Sequence, residues 1–261
     1  MSSPAKVART ITWAGIVLFW ATLAVLVWVA EMSIVDSILL SVLLAAVPAF
    51  SLAQVPLIEG AEIVRLPAYW GSIVTLWLLG TACWFVGTRL DGASAVGLVS
   101  IGPLPLLAWS LALTAGGMTT IWVFRAIGLR TGVKESRLLR ELLPRTSKER
   151  RVFALLSVAA GSGEEMAYRG YAIPVLAPLL GVPGAAILTT LIFGVLHSYQ
   201  GWLGIVRTSV MGGILAWGFL ASGSLWPSII AHTAIDLLAG IALGHRLLSP
   251  EASTGVPGSD T

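Results

Sequence analysis

The chain has 261 residues, 56% of them hydrophobic and only 11% charged, with a formal net charge of +3 and a mean hydropathy of +0.88. Soluble domains carry roughly 25% charged residues, so this composition excludes an ordinary water-soluble fold and describes an integral membrane protein. The positive charge lies between apolar runs, a pattern of membrane topology rather than of nucleic-acid binding.

A short basic tail with Lys6 and Arg9 leads into the apolar run Ile11 to Ala30. At about 20 residues it is long enough to cross a bilayer, and no small-residue cleavage site follows it, so it reads as a span and not a signal peptide. Glu31 and Asp36 mark a turn, and a second span runs to about Ala53 with Pro48 as a tolerated kink. Gln54 to Pro67, with Glu59, Glu62 and Arg65, reads as a loop or a short interfacial helix. A third span covers Tyr69 to Thr88, where Cys83 is expected to pack as a small residue. As the only cysteine it excludes an intramolecular disulfide and a cysteine-based metal site. Gly92 to Pro103 is a loop, and a fourth span covers Pro105 to Phe124.

Composition then shifts. Arg125 to Arg151 holds nine Lys/Arg and three Glu, and its RLLRELL core, residues 137–143, reads as an amphipathic helix. That helix would lie on a surface of anionic lipid, or serve as a solvated connector between two bundles. Four more spans follow: Val152 to Ile173, closed by Pro174 and Pro178; Pro183 to His197; Leu203 to Ala221; and Trp226 to Gly244. Residues 249–261 are rich in Ser and Gly and read as a disordered tail. The expected fold is an all-α, polytopic membrane helix bundle of about eight transmembrane helices, one domain over residues 1–248. Thirteen of the 16 Lys/Arg then share the side of the two termini, which predicts a multi-pass cell-membrane protein with both termini cytoplasmic.

Inside the fifth span stands GEEMAYRGY, residues 163–171. Charge at membrane depth costs roughly 2.5–3.5 kcal/mol per group on insertion scales, so it points to function. Glu165 and Arg169 are four apart and share a helix face, which predicts a supporting ion pair, whereas Glu164 points about 100° away and has no partner in its own helix. His197 ends the sixth span, and His232 and Asp236 lie one helical turn apart in the eighth. A lone carboxylate with two histidines and an aspartate suits hydrolysis, with the carboxylate drawing a proton from water and an imidazole relaying it. Glu164, His197 and His232 also have the donor types of a zinc shell with an open position for water. On straight spans with these edges, however, the three residues fall at depths spread over roughly 10 Å. Arg207, near the start of the seventh span, is expected to snorkel to the surface.

Glu164-Glu165-x-x-x-Arg169, Phe193-x-x-x-His197 and His232-x-x-x-Asp236, in this order, resemble the three motifs of the CPBP family, the CAAX prenyl-protein proteases and bacteriocin-processing intramembrane endopeptidases. SGSLWPSIIAH, ahead of the third motif, is similar to that family as well, and the resemblance extends over about Val152 to Gly244. It implies a glutamate-dependent intramembrane peptidase acting on a peptide or on a membrane-anchored protein substrate, with or without a lipid group. Glu164 would be the base on water, His197 its assistant, and His232 with residue 236 would bind the water or the oxyanion. The family often has asparagine where this chain has Asp236, which leaves the oxyanion role open and keeps a divalent metal such as Zn2+ among the alternatives. A proton-coupled transporter, or a catalytically silent immunity or scaffold protein, would also retain polar groups at depth.

Overall fold

A computed structural model of the chain describes residues 3–59, 61–89, 91–133 and 136–244, so His245 and the expected tail lie outside the described residues. Helix α1 spans Pro4–Val29, α2 Ile34–Ile58, α3 Arg65–Gly87 and α4 Pro103–Thr131. The short α5, Arg137–Glu141, precedes α6 (Ser147–Leu196), α7 (Trp202–Ser222) and α8 (Trp226–Ala242). The starts follow from local chemistry. Ser3 caps α1 ahead of Pro4, the Ser33 hydroxyl caps α2, and Thr146 with Glu149 closes a reciprocal capping box on α6. Exposed Trp13, Val17, Trp20 and Trp28 on α1 show an apolar face outward, as lipid requires of a spanning helix.

Six of these helices are long and apolar enough to cross a membrane, and α8 is a shorter apolar helix. At 1.5 Å per residue the 50-residue α6 would reach about 75 Å, over twice the hydrocarbon core. Gly181 resolves this with φ 70° and ψ 158°, a backbone state that breaks the helix just before Pro183. The second arm comes back beside the first, for the Phe193 ring lies 5.7 Å from that of Tyr168. Counting two arms and α8 gives the expected set of about eight.

Several sequence-based boundaries move. The loop expected over Gln54 to Pro67 is shorter, and no separate interfacial helix is described there: α2 continues to Ile58 and α3 already begins at Arg65. The fourth span reaches Thr131, so part of the basic segment is its last two turns, and the helix in RLLRELL covers only Arg137–Glu141. Asp36 is not a turn marker but a buried residue in the first turn of α2, where it bonds the Tyr171 hydroxyl at 2.9 Å and pairs with Arg89. The hydrogen bond that Arg89 donates to Asp36 raises the Arg89 pKa above its ordinary value. Buried polar contacts thus also occur in the first half of the chain.

The core is built around the middle of α6. Tyr168, Tyr171, Ile173 and Leu176 pack with Leu40, Leu43 and Phe193. Small residues let the backbones close in around it. A Cβ at Gly80 would stand 2.7 Å from Gly163 Cα, and a Cβ at Gly161 would collide with Thr233 and stand 2.8 Å from the Ile229 carbonyl oxygen. These contacts bring α3 and α8 against the stretch that ends in Glu164 and Glu165.

Candidate active site

The GEEMAYRGY stretch is where α6 changes its winding: α-helix ends at Glu165 and Met166–Ala172 forms a π segment. Such insertions are rare and accumulate at functional positions, because they re-aim side chains that a regular helix would place one turn apart. Within the segment, Arg169 still reaches Glu165, with Nη1 2.9 Å from Oε1. Its Nη2 donates to the Gly212 carbonyl at 3.0 Å, and the guanidinium lies 4.2 Å from the centre of the Phe193 ring. Both side chains are buried, so the expected ion pair is there, held by a carbonyl and an aromatic face.

His232 meets this pair from α8. Its Nδ1 lies 2.8 Å from Glu165 Oε1. A carboxylate paired with arginine accepts, so Nδ1 carries the proton and donates, and the ring is fixed with Nε2 turned to the other side. There Nε2 stands 3.8 Å from Glu164 Oε2 and 3.8 Å from Asp236 Oδ2. These separations exceed direct hydrogen bonding and match a bridge through water. Glu164 Oε2 is buried and, among the described residues, has no hydrogen-bond partner. Asp236 is the open edge of the group, with a third of its side chain exposed.

His197, just past the end of α6, holds the Phe193 carbonyl through Nδ1 at 2.9 Å. A carbonyl only accepts, so Nδ1 donates and Nε2 keeps its lone pair. Phe193 is the common floor of both imidazoles, its ring centre 4.9 Å from that of His197 and 6.0 Å from that of His232.

The expected depth spread does not survive for His232, which sits beside both glutamates. The cause is the glycine-lined crossing of α6 and α8, which carries Glu164 and His232 to one level. The expected division of roles also changes: His232 bonds Glu165, not Glu164, so Glu165 serves two helices rather than one. The zinc shell of Glu164, His197 and His232 does not fit. Among the described residues no three His, Cys, Asp or Glu side chains gather closely enough to hold a metal ion. Arg207 does not snorkel: it is buried, with Nη2 2.7 Å from Gln200 Oε1. Composition alone had not singled out Phe193 as a floor or Gly161 as a gate to the crossing. A run of small residues on the faces of α6 is the signal that points to the second.

A comparison with protein families matches residues 146–238 to the family described as type II CAAX prenyl endopeptidase Rce1-like. No curated protein and no solved structure matches the chain. The matched residues contain all of Glu164, Glu165, Arg169, His197, His232 and Asp236. Residues 146–238 of this multi-pass helical membrane protein are thus similar to the CAAX-protease family that its three motifs resemble.

Proposed function

We propose that the chain is an intramembrane endopeptidase in which Glu164 activates water against a peptide bond. The observation that carries this reading is the buried Glu164 oxygen, partnerless and 3.8 Å from a histidine nitrogen whose ring is fixed from behind. Water bridging Glu164 Oε2 and His232 Nε2 would give its proton to Glu164 as its oxygen bonds to the scissile carbonyl carbon. The C–N bond then breaks, and Glu164 returns the proton to the leaving amine. His197 Nε2, with its lone pair free of the Phe193 bond, accepts a hydrogen bond from water or from a substrate N–H. Asp236 at the open edge acts as its protonated acid, donating to the developing oxyanion. Substrate would be a membrane-anchored or lipidated protein or a peptide, as the family's description suggests for a member.

The concentration of Lys and Arg in the segments that share the side of the N-terminus supports a cytoplasmic orientation of that end. A proton-coupled transporter is disfavoured because the buried polar group described on the first helices, Asp36 with Ser33 and Arg89, has one carboxylate and no histidine and does not match the cluster of the second half. The test is cleavage of candidate lipidated and plain peptides by purified protein, wild type beside Glu164→Ala. Equal rates in the two proteins would reject the assignment.

A further inference from the structure

Between the end of α4 and the first turn of α6 the chain exposes Arg130, Arg140, Arg145, Lys148, Arg150 and Arg151. The acids described among them are already committed. Glu141 pairs with Arg137, and Glu149 caps α6 while facing Arg65 at 3.8 Å. Among the described residues no carboxylate pairs with the six exposed cations, so the face carries uncompensated positive charge.

Its position is set by what borders it. Trp122, Ile127 and Leu129 are exposed on the last turns of α4, and Trp202 is exposed at the start of α7, so lipid-facing surface ends where the cations begin. The segment is also anchored. The Tyr69 hydroxyl donates to the Leu142 carbonyl at 2.5 Å, and Leu138 is buried. α5 packs against the turn Ser198–Gln200, which immediately follows His197. Topology alone requires cations at this end but not that their platform lean on the turn behind a site histidine.

We propose that this face binds the phosphate headgroups of anionic lipids, and that the bound lipid braces the turn behind His197. Guanidinium groups match phosphate oxygens two at a time, and the apolar border puts those oxygens at the level of the headgroups. The lipid site stands on its own; its effect on rate rests on the peptidase reading above.

The test uses the full chain. Native mass spectrometry of protein equilibrated with equal amounts of phosphatidylglycerol and phosphatidylcholine reads lipid retention directly. Wild type is expected to retain phosphatidylglycerol preferentially, and Arg140→Gln/Arg145→Gln/Arg150→Gln to lose that preference, on the order of fivefold per cation removed. All three side chains are exposed, so thermal melts should not move. Peptide cleavage is then compared in bilayers of phosphatidylcholine alone and of an equal mixture with phosphatidylglycerol. Wild type should be several-fold faster in the mixture, the triple variant equal in both. Equal retention of the two lipids by wild type, or an unchanged preference in the variant, overturns the lipid site. Tighter capture of poly-glutamate than of phosphatidylglycerol overturns it in favour of an acidic polypeptide. Selective retention with equal rates in both bilayers supports the site and overturns the brace. Selective retention with no cleavage anywhere supports the site and rejects the peptidase reading instead.

Discussion

Glu165 Oε1 meets both a guanidinium and an imidazole, whereas Glu164 has no such cationic partner and, among the described residues, its buried Oε2, like Glu165 Oε2, lacks a hydrogen bond. Removing Glu164 therefore strands no cation, and Glu164→Ala should abolish peptidase activity with a melting temperature close to that of wild type. Loss of expression would mean that the residue is structural. At Asp236 the expected outcome is the reverse. If this position works as a neutral donor, Asp236→Asn preserves the donor and should keep most of the activity while flattening its decline at high pH. A rate profile against pH for both proteins checks this, and an inactive, folded variant would show that the anion is required. Much of this was legible in the chain, because the four-residue spacing pairs Glu165 with Arg169 and leaves Glu164 over. The bond from His232 to Glu165 was not, since the two are 67 residues apart and no local rule links them.

Elements matter here through how closely they cross. Gly161 and Gly163 sit on α6 where α8 and α3 press in, so a single added methyl must push a backbone away. Gly161→Ala is expected to lower stability by about 1–3 kcal/mol and to reduce activity further than the melt alone accounts for, because it separates His232 from Glu165. Unchanged activity would show that the crossing is looser than described. The π segment makes its own prediction. Glu165→Ala or Arg169→Ala leaves a buried charge uncompensated, at a cost of about 3–5 kcal/mol, and the double replacement should be milder than either single one. Melts in detergent that simply add would contradict the pairing. Hydropathy located every span, yet it missed the end of α2, the start of α3 and the end of α4, where turns carrying Gln54, Arg65, Arg125 and Arg130 still belong to the helix. Nor can hydropathy see Gly181, where one residue's backbone state makes two arms of a continuous apolar run.

At the scale of the whole molecule, helices without motifs pack against α6, which carries the first of them, through Gly80 beside Gly163 and Leu40 and Leu43 in the core around Tyr168. Composition made the membrane bundle plain, and three motifs in order marked its second half. The Asp36–Arg89–Tyr171 knot was invisible, because its members stand 53 and 135 residues apart and each looks ordinary alone. Ser33 completes it with a 2.6 Å bond to Asp36. Tyr171→Phe deletes one hydroxyl without changing volume and should cost about 1–3 kcal/mol by leaving a buried acceptor short. Chemical denaturation of wild type and variant in the same detergent measures it, and an unchanged midpoint would remove the knot from the account.

That knot also carries a sense of time. Asp36 lies in the second spanning helix and Arg89 two residues past the third, so their pair can close before the second half of the chain has been synthesised. Tyr171 arrives much later and finds an acceptor already oriented by Arg89 and Ser33. The nascent first half thus offers a prepared berth to the incoming motif helix, and the order of synthesis becomes an order of assembly.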